Sequence, residues 1–413
     1  MPSLPYHEKR QQFYREIKNF WSDMYGEEYA LYDIARIGKS EVDQIRLATD
    51  RIGRIFFKVA TLLREVPDET LVEMGFPVES LSFLKLQSLP FESVIARLDL
   101  IRTETGFKCI EINSDTPTFI KELFLINSLV CSEFQMEDPN AAMAERLGYA
   151  VRLSINECAK QIRKPKPYIV FTAHEDNEED RETVRYLQEL ADLPSRFVPL
   201  HQLEIVKGEG LYDGAGSKID ILYRQTFPIE NLIMDEDEAG NKIGLWLLEL
   251  VESGMLMVIN PPSAFLLQNK AVQAIIWGLH EEKHAFFTNE EHEWIQEYFL
   301  PTFFEPDYFL HSNLAFVKKP SFGREGDTIE IFNENGELSL QDSQKNYTNY
   351  VPIYQKYVEL PSIRFMSTKG KQTGNLLIGS FLLNGHAAAI GFRVGERITN
   401  NLSYYLPVGL EDM

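Results

Sequence analysis

Cysteine is nearly absent. Cys109, Cys131 and Cys158 are the three in 413 residues, an odd number without patterned spacing, which excludes a disulfide framework and leaves reduced thiols. No apolar run is long enough to cross a bilayer. The opening "MPSLPYHEKRQQFYREIKNFW" has none of the apolar core that a secretory leader needs, so a cytoplasmic location with no membrane partner is expected. Positive charge is also short: 41 Lys and Arg against 62 Asp and Glu give a formal charge of −21. A nucleic-acid partner is therefore not expected, because such binders display a broad basic face. Repeats, low-complexity tracts and flexible linkers are missing too, so at this length two or three closely packed lobes with clefts between them are expected.

Several catalytic signatures are missing as well. There is no G-x-x-x-x-G-K-S/T phosphate loop and no G-x-S-x-G elbow, and none of the three cysteines sits in a nucleophile motif. Covalent catalysis is not expected. "HEEKH" spaces His280 and His284 four residues apart, but His174, His292 and His386 add no third ligand at metal spacing, and zinc is not expected either.

What is present begins with helical periodicity over residues 6 to 65, in "YREIKNFWSDMY" and "VDQIRLATDRIGRIFFKVATLLREV". The stretch "RLDLIRTETGFKCIEINSDTP", 97 to 117, alternates like two facing strands, with Arg97 and Asp99 on one face and Glu111 and Asn113 on one face of the return. Two carboxylates and an amide oxygen are a hard donor set suited to Mg²⁺, and Arg97 beside them suits a phosphate. A surface hairpin salt-bridged through Arg97 to Asp99 or Glu111 fits the same spacing. Helical character resumes after Pro117 and again over 141 to 162. From 165, strand and helix alternate as in an open α/β layer ("PYIVFTA", "NEEDRETVRYLQELA", "KIDILYRQTF").

Further along, "FVKKPSFGREGDTIEIF" reads as strand, lysine, glycine-containing turn and strand. That form suits a hairpin whose backbone N–H groups fold over phosphates, with Lys319 supplying charge and Gly323 and Gly326 permitting close approach; a plain hairpin remains open. The loop at 321 to 327 is expected to be a mobile lid with few large apolar anchors. "LLIGSFLLNGHAAAIGFRVGERITNN" reads as two long strands turning at Asn384-Gly385 and carrying Arg393. That arginine could equally pair with Glu396.

Taken in order, "RLDLIRTETGFKCIEINSDTPTFIKE", "VKKPSFGREGDTIEIF", "YQKYVELP" and "GSFLLNGHAAAIGFRVGERITNN" resemble the synthetase domain of the glutathionylspermidine synthase family, and "HEEKHAFFTNEEHEWIQEYFLPTFFEPD" resembles its stand-alone bacterial members without an amidase domain. The resemblance implies an α+β, ATP-grasp-like fold with a helical N-terminal region at 1–90 and a metal-binding hairpin and following helix at 91–135. An open α/β pre-ATP-grasp substrate lobe at 140–260 and a nucleotide-binding lobe at 261–413 complete it. It implies an ATP- and Mg²⁺-dependent carboxylate–amine ligase that works through an acylphosphate. Carried over by position, it makes Asp99, Glu111 and Asn113 metal ligands and Arg97 and Arg393 catalytic cations. Lys270, Lys319, Gly326 and Gln355 become ATP contacts, and Thr116, Thr118 and Arg324 contacts to a peptide or amino-acid-like acid. The amine partner would include polyamines. "SDTPT" stands where the bifunctional members carry a serine-rich segment, which leaves glutathione and spermidine themselves open. A small-molecule phosphotransferase and a nucleotide-binding adaptor on the same fold are the competing functions.

Overall fold

The computed structural model describes residues 4–226, 228–324, 326–400 and 402–411. Its centre is the helix Lys39–Glu65, which buries Val42, Ile45, Ala48, Ile52, Phe56, Val59 and Leu63 at three- and four-residue spacing and stops ahead of Pro67. That stripe lies on a six-stranded antiparallel sheet running Tyr404–Leu406, His386–Gly395, Gly370–Leu383, Ile95–Thr103, Gly106–Asn113, with Ser362–Ser367 also paired to Gly370–Leu383. Gly53 permits the approach: a Cβ there would stand 2.7 Å from Leu382 Cδ1. The turn expected at Asn384-Gly385 forms, with φ of 49° and 85°, the left-handed pair that a two-residue hairpin requires.

Along Ile95–Thr103 the side chains divide between two faces. Ala96, Leu98 and Leu100 join the core under the long helix, while Arg97, Asp99 and Ile101 face a cleft. Beyond the cleft stands a five-stranded antiparallel sheet in the order Thr302–Phe303, Pro352–Lys356, Phe316–Pro320, Glu330–Phe332, Leu338–Gln341. A third, parallel sheet orders Met257–Ile259, Ile221–Gln225, Ile169–Ala173 and Arg196–Phe197, with helices Met143–Gln161 and Glu178–Ala191 beside it. This is the alternation read from "PYIVFTA" onward.

Asn260 joins the parallel sheet to the cleft wall. Its Oδ1 accepts from the N–H groups of Val94 (2.9 Å) and Ile95 (3.2 Å), and its Nδ2 donates to the carbonyls of Ile95, Ser114 and Asp115 (3.1, 3.0 and 2.6 Å). Both ends of the 95–113 hairpin are thereby held from outside the sheet.

The expectation of an all-helical stretch over 6 to 65 is corrected. Helix Tyr6–Arg15 ends early, and residues 16–37 include a hairpin of Asp23–Met24 with Glu27–Glu28, then Ala35–Ile37 paired in parallel with Val408–Leu410. Tyr25 and Gly26, at φ 53° and 80°, make the turn that a helical window cannot register. Among the described residues no helix is long and apolar enough to cross a membrane.

Candidate active site

The 95–113 hairpin pairs Arg97 with Asn113 and Asp99 with Glu111, followed by a bulge between Asp99 and Leu100. All four side chains line the cleft. Arg97 and Asp99 form a two-point ion pair, Nε to Oδ1 at 2.7 Å and Nη2 to Oδ2 at 3.1 Å, and Arg97 Nη1 donates to the Thr118 carbonyl at 3.0 Å. The salt bridge anticipated as an alternative therefore exists, but in a buried wall, with Arg97 5% and Asp99 4% exposed. Burial opposes the guanidinium charge, and the adjacent Asp99 carboxylate overrides it and raises the Arg97 pKa.

Two lysines from other elements converge on Glu111. Lys270, at the start of helix Ala271–Glu281, stands 3.3 Å from Glu111 Oε2 and donates to the Gly323 carbonyl at 2.8 Å. Lys319, on Phe316–Pro320, donates to Gln355 Oε1 at 2.7 Å. Gln355 in turn donates to Gln273 Oε1 (3.1 Å) and Thr302 Oγ1 (3.2 Å). Burial would raise the Glu111 pKa, yet Lys270, Lys319 and Arg97 outweigh it and hold the carboxyl at about 2. Lys319 shows the opposite balance: burial lowers it to about 8 despite Glu111.

Arg393 projects into the same cleft from His386–Gly395 and donates to the Asn400 carbonyl at 2.9 Å; among the described residues no ion pair joins it to Glu396. Arg324 Nη2 donates to Thr116 Oγ1 at 2.6 Å. The 321–327 segment corrects one expectation, since it has a large apolar anchor: Phe322 is 1% exposed and packs on Phe265 and Phe76. Gly326 sits at φ +76°, where a Cβ would meet Ile398 Cγ2 at 2.6 Å; Glu325, within the segment, lies outside the described residues. All twelve residues singled out in the sequence thus line one cleft. The two zinc-spaced histidines do not share a helix: it ends at Glu281, Lys283 turns at φ 51°, and His280 Nδ1 meets His292 Nδ1 at 3.2 Å.

The model of the family described as "Glutathionylspermidine synthase preATP-grasp" matches residues 4–411. The chain belongs to the glutathionylspermidine synthase family. It is also similar to a Haemophilus influenzae protein named "Putative acid--amine ligase", 23% identical over 411 residues and covering 94% of this chain and 90% of that one. In fold it is similar to a glutathione synthetase-like effector from Globodera pallida, with a TM-score of 0.59 at 11% identity over 99% of this chain and 98% of that one. The fold is α+β and ATP-grasp-like, and at the level of class this family member is an acid–amine ligase.

The donor set of the family member can be tested against a hard cation. Asn113 Nδ2 donates to Glu111 Oε1 at 3.3 Å, which leaves the amide oxygen as the atom to meet a metal, and Asp99 lies directly across the pair from Glu111. Two carboxylates and an amide oxygen on one rigid hairpin fit Mg²⁺, which takes few protein ligands and keeps positions for phosphate and water. Reasoning from sequence missed Gln273 and Thr302, which orient Gln355, and Tyr29, Glu122 and Glu179. Tyr29 and Glu179 line the cleft, while Glu122 lies behind Tyr29. Glu122 falls within an apolar helical stretch, and Tyr29 within the window misread as helix, so neither carried a local signal.

Proposed function

We propose that this chain is an ATP- and Mg²⁺-dependent ligase that joins a small peptide or amino-acid-like carboxylate to an amine through an acylphosphate. One observation carries the reading: the oxygen donors of the 95–113 hairpin and the cations Arg97, Lys270, Lys319 and Arg393, drawn from four separated segments, face one cleft between two sheets. An otherwise acidic chain has little structural reason to gather cations around a half-buried carboxylate. In phosphoryl transfer the protein mainly positions reactants and offsets charge.

In this reading Asp99, Glu111 and Asn113 hold Mg²⁺, which when bound neutralises phosphate charge. Lys270 and Lys319 take ATP phosphates, Gln355 lies on the adenine side, and Gly326 belongs to the covering loop. Thr116, Thr118 and Arg324 orient the acid. A carboxylate oxygen of the acid attacks the γ-phosphorus and ADP leaves. Arg97 and Arg393 stabilise the charge on the transferred group, and the amine then attacks the carbonyl carbon as phosphate departs.

The test is ADP release across a panel of peptide acids crossed with amines, including glutathione and spermidine, with mass-spectrometric detection of product. An amide accompanying ADP supports the ligase. A stable phosphorylated acceptor would make it a phosphotransferase, and nucleotide binding without turnover on any pair would favour an adaptor. Asp99→Ala with Glu111→Ala should also weaken Mg²⁺-nucleotide binding in calorimetry; unchanged affinity would remove the metal assignment.

A further inference from the structure

Amide formation poses a problem that the phosphate machinery does not solve. An alkyl amine near pH 7 is an ammonium ion with no free electron pair, so a proton must leave nitrogen before it attacks. The cleft residues described above are mostly cations or are committed to the metal. We propose that Tyr29 and Glu122 form the relay that takes this proton, Tyr29 touching the amine and Glu122 acting through it; the inference rests on the ligase reading.

Tyr29 lines the cleft, and its Oη donates to Glu122 Oε1 at 2.6 Å. Glu122 is fully buried, and among the described residues its Oε2 has no hydrogen-bond partner. A buried carboxyl oxygen without a donor is costly. The local backbone is unusual as well: Glu122–Ile126 is a single π-turn, a form that recurs at functional sites. Tyr405 Oη donates to the Glu122 carbonyl at 3.0 Å, which steadies the turn and leaves the carboxyl to Tyr29.

The charged and titratable groups facing the pair are Arg97 and Arg393 towards Glu122, Glu179 and Arg393 towards Tyr29, and the Tyr405 hydroxyl. Burial raises the Glu122 pKa, with Tyr29, Arg393 and Arg97 opposing. The shift makes its carboxylate a stronger base than an ordinary glutamate, in the direction general-base work requires. The step balances. An ammonium N–H bond breaks and its proton goes to Tyr29 Oη as the tyrosine proton passes to Glu122 Oε1. The electron pair left on nitrogen forms the C–N bond, the acyl C–O bond to phosphate breaks, and the second nitrogen proton leaves with phosphate.

The test compares two nucleophiles against the acids that support ADP release. Hydroxylamine is uncharged at pH 7 and gives a hydroxamate without needing a base, whereas a primary alkyl amine needs one. In Tyr29→Phe and Glu122→Gln the ratio of amide rate to hydroxamate rate at pH 7 should fall by about 10². It should recover as rising pH supplies free amine. Equal losses with both nucleophiles, or a ratio unchanged from the wild type, would overturn the relay and leave a structural Tyr–Glu pair. If Glu122→Gln fails to fold, Tyr29→Phe alone decides. Absence of both amide and hydroxamate from the wild type would show that the ligase reading itself has failed, and amide without hydroxamate would overturn the relay, which requires the uncharged nucleophile to react without it.

Discussion

Replacing Glu111 with glutamine keeps the side-chain shape and removes the negative charge that three cations surround. The carboxyl is held at about 2 rather than the ordinary 4.5, because Lys270, Lys319 and Arg97 outweigh the burial that opposes its charge. At about 1.4 kcal/mol per pH unit, that fall corresponds to about 3 kcal/mol of native-state stability. A quarter of the side chain (25%) opens to the cleft, and solvent screening there reduces the figure to about 2 kcal/mol. Because the folded pKa is depressed, this stability is present above pH 4.5 and is lost as pH falls from 4.5 towards 2. Lys319 runs the other way. Its pKa is lowered from 10.5 to about 8, so its charge is a cost at pH 7 that is relieved as pH rises from 8 to 10.5. Thermal unfolding of wild type, Glu111→Gln and Glu111→Gln/Lys319→Met across pH 3 to 10 tests the balance. The single variant should be destabilised at pH 7, with the gap narrowing on acidification, and the double variant should regain part of the loss. A gap that stays constant with pH, or none at all, would refute an electrostatic role for Glu111.

Arg393→Ala should lower turnover by about a hundredfold while leaving nucleotide affinity within a few-fold, as expected of a cation aimed at charge that develops in the transition state. Near-normal turnover with a lowered melting temperature would make it structural. Gly326→Ala should destabilise the 326–329 turn by about 1 kcal/mol or more, since φ is +76° and the new Cβ would meet Ile398 Cγ2 and the Thr399 carbonyl at 2.6 and 2.8 Å; an unchanged melting temperature and nucleotide affinity would contradict this. Gln355→Leu strips Lys319 of its acceptor and should cost about 1–3 kcal/mol at pH 7. The penalty should shrink above pH 8 as Lys319 deprotonates, and thermal shifts at pH 7 and 10 would detect a failure to do so.

Strand alternation exposed the hairpin and its two polar pairs because a period of two is a local property. The bulge after Asp99 and the facing of Asp99 by Glu111 depend on register, which alternation alone leaves open. The Asn-Gly turn at 384–385 was legible for the same local reason. Lys270 had only the family resemblance to mark it, since what makes it notable, Glu111 across a fold-wide loop of 159 residues, is a tertiary fact. Residues 16–37 were misread because aromatics at near-helical spacing there serve separate purposes. Trp21 is buried beside Phe20, and Tyr25 turns a hairpin. Glu122 lies in an apolar helical stretch, and what distinguishes it, the Tyr29 hydroxyl on its carboxyl, is a contact between residues 93 apart.

The cleft carboxylates Asp99 and Glu111 are paired internally, and on the proposed reading this bears on how metal and triphosphate would enter. Asp99 is occupied at both oxygens by Arg97, and Glu111 shares Lys270 with the Gly323 carbonyl. A metal ion arriving alone would have to replace a guanidinium at Asp99 and leave Arg97 buried without its anion. A triphosphate arriving alone would draw the lysines and leave the carboxylates uncompensated. Either outcome strands a buried charge, which is strongly destabilising when its partner is removed. On the proposed reading, metal and triphosphate entering together would exchange one set of ion pairs for another: the carboxylates would pass from arginine and lysine to the metal, and the freed cations to phosphate. On that reading the internal pairing would favour joint over separate binding, and the overall charge of −21 would add to the penalty on a bare polyanion at long range.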